Sequence, residues 1–521
     1  MNEPYYITTP IYYVTDVPHI GHLYTTLAAD IMARYQRMRG KDVWFLTGTD
    51  EHGEKIQKKA KEQNVTPQEL ADRVVERYRE AWKFYEITNN DFIRTTEERH
   101  KKVVTNYMKQ LMDTGDVYLG EYEGWYCVPD ESYWTETQVV GGKCPDCGRP
   151  VEKLKEESYF FRMSAYQDKL LQHIEANPKF IIPESRKNEV TGFLKQGLKD
   201  ISVSRTTIQW GIPMPPNPKA KKEHRAYVWF DALTNYISAL NPDSKDSKFE
   251  RFWPEAIHLV GKDILRFHAV YWPTFLMALK LPLPKQIVAH GWLTDSNRKI
   301  SKSLGNMVDP IALAKEVGLE GVRYFLFREF VFGMDGEYTK EVVYQRINSD
   351  LANDYGNCVN RLATMIEKYL GSAPIEIETA LKHDSELKTC AAENIPAFHA
   401  ALVDFGYHRA LESAWKIISA VNRYIESNAP WTLAKSAAPE DKEKLARILI
   451  HCHESLRIVS LLVLPFIPNA ATKALGYLGA EESLKASVPM DFAQWGKGPQ
   501  KILPRKGEPL FPRLEWKPAA T

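Results

Sequence analysis

The feature that most constrains this chain is an alternation of strand, helix and strand that opens it, breaks off and later resumes. Tyr5–Thr8 is short, aromatic and β-branched, which predicts a strand. Leu23, Leu27, Ile31, Tyr35 and Met38 then recur at helical spacing, and Gly40 closes that helix. Val43–Thr47 is a second buried-strand run. Parallel strands require a crossover of this length, so a βαβ unit and a parallel sheet begin here. A helical stretch over Glu97–Met112 precedes a change of texture. From Tyr118 to Pro150 the chain carries Gly, Pro, aromatics and a cysteine cluster without helical period, which reads as a small inserted module. Pro213, Pro215, Pro216 and Pro218, then Lys219, Lys221 and Lys222, mark an exposed loop near its exit. The α/β pattern resumes with a strand over Ala226–Phe230, a helix to Leu240, a strand over Ala256–Val260, a helix through Ala278 and a strand over Gln286–Ala289. After about Tyr344 strands vanish, and long amphipathic helices are predicted over Asn348–Leu370, Ile395–Asn428 and Lys442–Leu464. The expected organisation is an α/β domain in two halves, 1–117 and 226–343, around an insertion at 118–225. An all-α domain at 344–497 and a Pro-rich surface tail at 498–521 follow.

At 521 residues, three or so domains are expected, consistent with this division. Lys+Arg (68) and Asp+Glu (67) nearly cancel, which excludes a histone-like polyanion binder but not a local basic patch. The longest apolar run, Ile458–Ile467, is short of the roughly 18 residues of a membrane span and is broken by Ser460 and Pro465. The start has neither the basic nor the apolar region of a secretion signal. Six cysteines are too few for a disulfide scaffold, and three of them cluster, which reads as metal chemistry in a reducing compartment. A soluble cytoplasmic protein without membrane contact is expected.

Two motifs carry chemistry. His19-Ile20-Gly21-His22 falls between the first strand and its helix, where ligands of open α/β sheets bind. A helix N-terminus there offers free N–H groups to phosphate, Gly21 permits close approach by a nucleotide, and two histidines add donors. Far downstream, Lys299-Ile300-Ser301-Lys302-Ser303 lies in a polar loop after a strand. Two lysines there can surround a triphosphate and neutralise charge that grows as a phosphoryl group departs. Each motif alone is weak; together, in the two halves of one split domain, they are strong. With these two signatures the chain resembles the class I aminoacyl-tRNA synthetases, with Ile300 where Met is typical, a swap of similar volume.

Further segments in chain order are similar to the methionyl-tRNA synthetase family: Thr9-Pro10-Ile11-Tyr12-Tyr13, Thr49-Asp50-Glu51-His52-Gly53, Val228-Trp229-Phe230-Asp231-Ala232-Leu233, Gly261 through His268, and His290-Gly291-Trp292. The resemblance runs from Tyr5 to about Trp431. It implies a Rossmann-like catalytic domain split by an insertion with a zinc knuckle, then an α-helical anticodon-binding domain. It also implies methionine activation by ATP, with Mg²⁺, and transfer to tRNA(Met), initiator tRNA included. Ile11, Tyr13, Trp229, Ala232, Leu233, Tyr236, Ile264 and His268 would form the methionine pocket, with Asp50 on the ammonium. His19, Gly21, His22, Asp263, His290, Gly291, Lys299, Ser301 and Lys302 would bind ATP, the histidines and lysines acting in catalysis. Asn357, Arg361 and Trp431 would read the anticodon. These residue types suit methionine. A thioether is polarizable and a poor acceptor, so aromatic and apolar walls match it, and Tyr13 and His268 can add weak polar contacts to sulfur. An ammonium in a closed pocket requires a carboxylate. Core packing and helix capping are the bland alternatives for these same residues.

Cys127-Val128-Pro129-Asp130 and Cys144-Pro145-Asp146-Cys147 share the two-residue spacing of a zinc knuckle. Asp130 stands where a full set would have Cys, and no His lies between His100 and His173, so a carboxylate would be the fourth ligand of one structural zinc. The alternative is a decayed site with free thiols. Among rival functions, a valine, isoleucine or leucine enzyme needs a larger insertion for editing, and a cysteine enzyme needs thiolates at its amino-acid pocket. A non-catalytic tRNA-binding protein would not need both signatures. The short sequence after the helical domain favours a monomer.

Overall fold

The computed structural model describes residues 2–15, 17–130, 132–134, 136, 138–139, 141–295, 298–300, 307–371 and 373–516. They form two compact units. One comprises Pro4–Ala29 and Val43–His290; the other comprises Asp30–Asp42 and the chain from Gly291 onward, with the amino-terminal residues.

The first unit opens with β1 (Pro4–Tyr13), α1 (Ile20–Met38, whose later turns belong to the second unit), β2 (Asp42–Asp50), α2 (Glu54–Glu62), α3 (Pro67–Phe84), β3 (Asp91–Arg94) and α4 (Glu98–Thr114). An antiparallel segment follows, with β4 (Val117–Cys127), β5 (Ser132–Trp134) and β6 (Glu152–Phe161). Then come α5 (Gln167–Ala176), β7 (Ile181–Ile182), α6 (Glu184–Lys195), β8 (Ile201–Ser202), β9 (Ser204–Arg205), β10 (Arg225–Ala226), α7 (Val228–Ser238), α8 (Phe249–Phe252), β11 (Ala256–Gly261), α9 (Trp272–Ala278) and β12 (Gln286–His290). The main sheet has the order β3–β2–β1–β11–β12–β7, with β2–β3, β1–β11, β11–β12 and β12–β7 parallel. From β1 the chain moves to β2 on one side and later returns as β11 on the other. That reversal opens a crevice at the carboxyl ends of β1 and β11, where open α/β sheets bind ligands. β1 is buried over most of its length, as a central parallel strand must be.

Residues 118–225 do two things. β5–β4–β6–β8 make an antiparallel sheet carrying the cysteines at its far end, whereas β7 adds an edge strand to the parallel sheet beside β12. The strand predicted over Ala226–Phe230 is corrected: the chain turns helical at Val228 and stays so to Ser238. An apolar, aromatic run of that length does not distinguish a buried strand from a helix buried on every face, and every residue of α7 is buried.

The second unit continues with β13 (Leu293–Asp295), β14 (Arg298–Lys299), α10 (Pro310–Val317), α11 (Leu319–Glu329), β15 (Gly336–Glu337) and α12 (Lys340–Arg346), which runs through a π-helical stretch into α13 (Asn357–Leu370). After β16 (Ile375–Glu376) come α14 (Glu378–Leu381), α15 (Glu386–Val403), α16 (Tyr407–Asn428), α17 (Pro430–Leu433), α18 (Pro439–Val463), α19 (Pro468–Tyr477) and β17 (Lys501–Ile502). The single helix predicted over Ile395–Asn428 is a hairpin instead. Phe405 takes a left-handed φ of 54° and Gly406 follows, which reverses the chain between α15 and α16. Strands do not vanish entirely, because β16 and β17 pair as a short antiparallel ribbon. The Pro-rich tail is mostly exposed or half-buried, and it is fastened at particular points. Ile502 is buried, the Leu514 N–H donates to Asn348 Oδ1 at 2.8 Å, and Trp516 packs on Tyr344. A buried ion pair, Arg323 to Asp30 at 2.8 Å, holds α11 against the later turns of α1. Among the described residues no helix is long and apolar enough to cross a membrane.

Candidate functional site

In the first unit, the predicted residues sit at the carboxyl ends of four sheet strands. Beyond β1, His19 and His22 bracket the start of α1 with their rings stacked at 3.7 Å. The His19 N–H donates to His22 Nδ1 (3.3 Å) and the Gly21 N–H donates to His19 Nδ1 (3.1 Å). Accepting at Nδ1 puts the ring proton of each neutral imidazole on Nε2, so each presents a donor. A Cβ on Gly21 would fall 2.9 Å from the His19 ring, so a larger residue there would have to displace that ring. No acidic residue stands in the first turn of α1, as suits a helix end that meets an anion. His290, at the end of β12, is bound to the same helix through Thr25 Oγ1, 2.7 Å from its Nε2. Asp263 lies exposed just beyond β11.

Four of the methionine-pocket candidates lie on α7. Trp229, Ala232, Leu233 and Tyr236 share one helix face, and all are buried. Trp229 stacks on Phe267 at 3.7 Å, and its buried Nε1 finds no acceptor among the described residues. Ile11 and Tyr13 are half-buried on one face of β1, with Tyr12 buried on the other. Asp50, buried at 2 % exposure, is the last residue of β2, and its carbonyl accepts from the Val14 N–H.

His268, expected to lend a weak polar contact to sulfur, has both ring nitrogens hydrogen-bonded within the protein. Its Nδ1–H donates to the Ile264 carbonyl at 2.9 Å, and its Nε2 accepts from the Tyr236 hydroxyl at 2.7 Å. Both ring nitrogens are committed to protein. Burial holds its pKa down to about 4, with the Ile264 hydrogen bond acting against the shift. The unfolded chain, with an ordinary imidazole near 6.5, therefore takes up a proton that the folded chain refuses until about pH 4. Stability should thus be lost as pH falls from about 6.5 towards 4, by at most about 3 kcal/mol from this residue. Urea midpoints measured across that window should fall more steeply in wild type than in His268→Asn; parallel slopes would refute the assignment.

Several residues of the T-D-E-H-G segment and α7 escaped the sequence reading. Glu51 is buried and paired with Arg94 through both carboxylate oxygens (2.7 and 3.0 Å). His52 and His100 both bond Asp231, and Trp210 donates to the Glu51 carbonyl. The available signal was a lone Asp in the otherwise apolar start of α7, which has to find a partner once buried.

The cysteine cluster is formed as predicted. Cys127, Asp130, Cys144 and Cys147 each offer a ligand atom within 4.8 Å of the others. Cys127 Sγ lies 3.6 Å from Cys147 Sγ and 3.6 Å from Asp130 Oδ2, which is 3.2 Å from Cys144 Sγ. A tetrahedral zinc with Zn–S near 2.3 Å would set sulfurs roughly 3.8 Å apart, so the donor spacing fits. Burial pushes the Cys147 thiol up to about 11.

In the second unit, the Gly291 position has its own constraint: a Cβ there would meet the Met334 backbone at 2.2 Å. Lys299 is described by its backbone, in a hairpin where Thr294 pairs with Lys299. Ser301 and Lys302 lie outside the described residues. Asn357 opens α13 and is exposed; Arg361, one turn on, reaches Glu426 Oε1 at 2.8 Å in the last turns of α16. Five residues beyond Glu426, Trp431 sits on α17 with 39 % exposure. The ion pair thus fastens α13 to the end of α16, the helix that α17 follows.

Comparison with known proteins follows the same lines. Residues 5–153 and 147–363 match the family described as tRNA synthetases class I (M), and residues 376–496 match the anticodon binding domain of methionyl tRNA ligase. A methionine–tRNA ligase of Bacillus subtilis is 50% identical over 99% of this chain and 78% of its own length. One from Caldanaerobacter subterraneus is 48% identical over 99% of this chain and 80% of its own length. The crystal structure of Mycobacterium tuberculosis methionyl-tRNA synthetase bound by methionyl-adenylate superposes with a TM-score of 0.90 at 40% identity, covering 98% of this chain and 100% of that one.

Proposed function

The chain belongs to the class I methionyl-tRNA synthetase family, and from that premise we propose that it activates L-methionine with ATP and transfers the methionyl group to the 3′ end of tRNA(Met). The observation that carries this reading is that His19, His22, Asp50, Asp263 and His290 all lie at or just beyond the carboxyl ends of β1, β2, β11 and β12. The methionine carboxylate attacks the α-phosphorus of ATP, and no side chain need become a nucleophile; the protein aligns the reactants and stabilises charge. His19 and His22 donate to phosphate oxygens from Nε2, Gly21 lets the nucleotide approach α1, and Asp263 orients the ribose. His290 and Gly291 border the nucleotide. Lys299, Ser301 and Lys302 meet the departing pyrophosphate, with Mg²⁺ arriving as part of the ATP substrate. Asp50 pairs with the methionine ammonium, while Ile11, Tyr13, Trp229, Ala232, Leu233, Tyr236, Ile264 and His268 enclose the side chain. Asn357, Arg361 and Trp431 read the anticodon by hydrogen bonding and stacking. We place the activity in the cytoplasm and take the chain to act as a monomer.

Methionine-dependent ATP–pyrophosphate exchange tests the reading directly; exchange stimulated equally by other amino acids would refute it. Trp431→Ala should slow charging of tRNA(Met) by the equivalent of about 1–3 kcal/mol, one lost stacking platform, and leave the exchange intact. Equal loss of both activities would mark Trp431 as structural.

Cys127, Asp130, Cys144 and Cys147 would hold one zinc, whose bound form supplies a structural crosslink for the far end of the antiparallel sheet. The local core there is small, essentially Cys127, Trp134, Cys144 and Val151, and a metal is the kind of staple such a core needs. Elemental analysis of chelator-free protein should give one zinc per chain. Cys144→Ser should lose the metal and make this sheet more susceptible to protease, and metal far below one equivalent in wild type would refute the site.

A further inference from the structure

Asp231 is the centre of a buried polar cluster that no step of the proposed reaction uses. Its side chain is fully buried. Its Oδ2 accepts from His52 Nδ1 and its Oδ1 from His100 Nε2, both at 2.7 Å. His100 Nδ1 in turn lies 2.8 Å from Ser238 Oγ. Burial pushes the Asp231 carboxyl up, but His52 and His100 outweigh it and hold it at about 2, so the group is an anion at any physiological pH. A buried anion is costly, and an apolar residue of similar size is often no less stable; the best-attested use of such a group is to fix a register.

The three residues come from three elements. His52 is two positions beyond Asp50, past the end of β2; His100 is in the first turn of α4; Asp231 is on α7. At 3.6 residues per turn, Asp231 and Ser238 share a helix face. Trp229, Ala232, Leu233 and Tyr236 occupy the opposite face, the one that bears the methionine-pocket residues. One carboxylate thus ties the segment that carries Asp50 to the helix that carries the pocket. His52 also packs edge-on against Trp210, and the Gly53 N–H donates to the Trp210 carbonyl, so the segment has little freedom to yield.

We propose that Asp231 is a positioning residue for amino-acid selection: it sets the distance between Asp50 and the pocket face of α7, so that an amino acid of methionine's length engages both ends at once. The proposal rests on the functional reading above and adds to it a determinant outside the substrate's contact shell.

The test is Asp231→Asn in the full chain, which keeps the volume, removes the charge and turns one acceptor into a donor. Two ligands are compared in ATP–pyrophosphate exchange: L-methionine as substrate, and 4-(methylthio)butanoate, which lacks the ammonium, as inhibitor. The KM for L-methionine should rise about tenfold or more, while kcat and the KM for ATP move less than about threefold. The inhibition constant of the analogue should stay within about twofold, because a ligand that touches one end alone does not sense the spacing. Equal losses for both ligands, or an unchanged KM for methionine, would overturn the proposal. Should Asp231→Asn not fold, His52→Gln decides by the same comparison, since it cuts the tie on the β2 side and leaves Asp231 bonded to His100. Wild-type protein without methionine-dependent exchange would instead refute the functional reading, and this inference with it.

Discussion

Asp50→Ala should lower kcat/KM for methionine in ATP–pyrophosphate exchange by roughly 10²–10⁴, the equivalent of the about 3–5 kcal/mol lost when one partner of a buried ion pair is removed. Asp50 is all but sealed from solvent at the end of β2, so an ammonium arriving beside it sheds its water and depends on this carboxylate. The amino group carries the same charge before and after the carboxylate attacks phosphorus. Its contact therefore acts on ground state and transition state alike, and the loss should sit mainly in the KM for methionine. The KM for ATP should hold, because the nucleotide candidates lie on α1 and beyond β11 and β12. Asp50→Asn, which keeps the volume and a dipole, should recover part of the loss. A decrease in kcat/KM below about tenfold in Asp50→Ala would place the ammonium elsewhere.

Whether such a residue can be found from sequence depends on how its neighbours fold. β1, β2, β11 and β12 were legible because a central parallel strand is buried on both faces and reads as an unbroken apolar run between loops. Residues at their carboxyl ends, among them His19, Asp50, Asp263 and His290, were then locatable by topology once the motifs were recognised. The same rule failed at α7, whose start Val228-Trp229-Phe230 is as apolar and aromatic as any strand. Central helices lose the one-sided pattern that identifies helices at a surface.

Pairwise chemistry was harder to read. Asp231 looked like one polar residue in a pocket motif, and nothing in its local sequence announces that His52 and His100, 179 and 131 positions away, converge on it. His268 shows the converse. Residue type suggested a contact to sulfur, and only the positions of the Tyr236 hydroxyl and the Ile264 carbonyl show that both of its nitrogens are already occupied. Composition likewise marks a Pro-rich surface tail without showing where β17 and the Leu514–Asn348 bond fasten it. Prolines exclude helix there, but they do not exclude packing.

Lys302→Ala is the second large effect, and it should appear in a different kinetic term. The motif Lys299-Ile300-Ser301-Lys302 begins in the β13–β14 hairpin, where the Lys299 backbone pairs with Thr294. On the proposed reading the ground-state triphosphate also meets donors at α1, so one lysine fewer should weaken ATP binding little. As the bond between the α- and β-phosphates breaks, negative charge grows on the departing pyrophosphate, and an ammonium placed there is worth most at that moment. Removing one such transition-state contact costs about 2.7–4 kcal/mol, or roughly 10²–10³ in rate. Single-turnover formation of methionyl-adenylate should therefore slow by that factor at saturating substrates, with both KM values within about threefold of wild type. Lys302→Arg keeps the charge but spreads it over a planar fork, so it should recover part of the rate. Transfer of methionine from preformed adenylate to tRNA should be less affected, because pyrophosphate has already left. Unchanged adenylate formation in Lys302→Ala would assign the motif to a solvated basic loop, and the charge on the leaving group would then need another source.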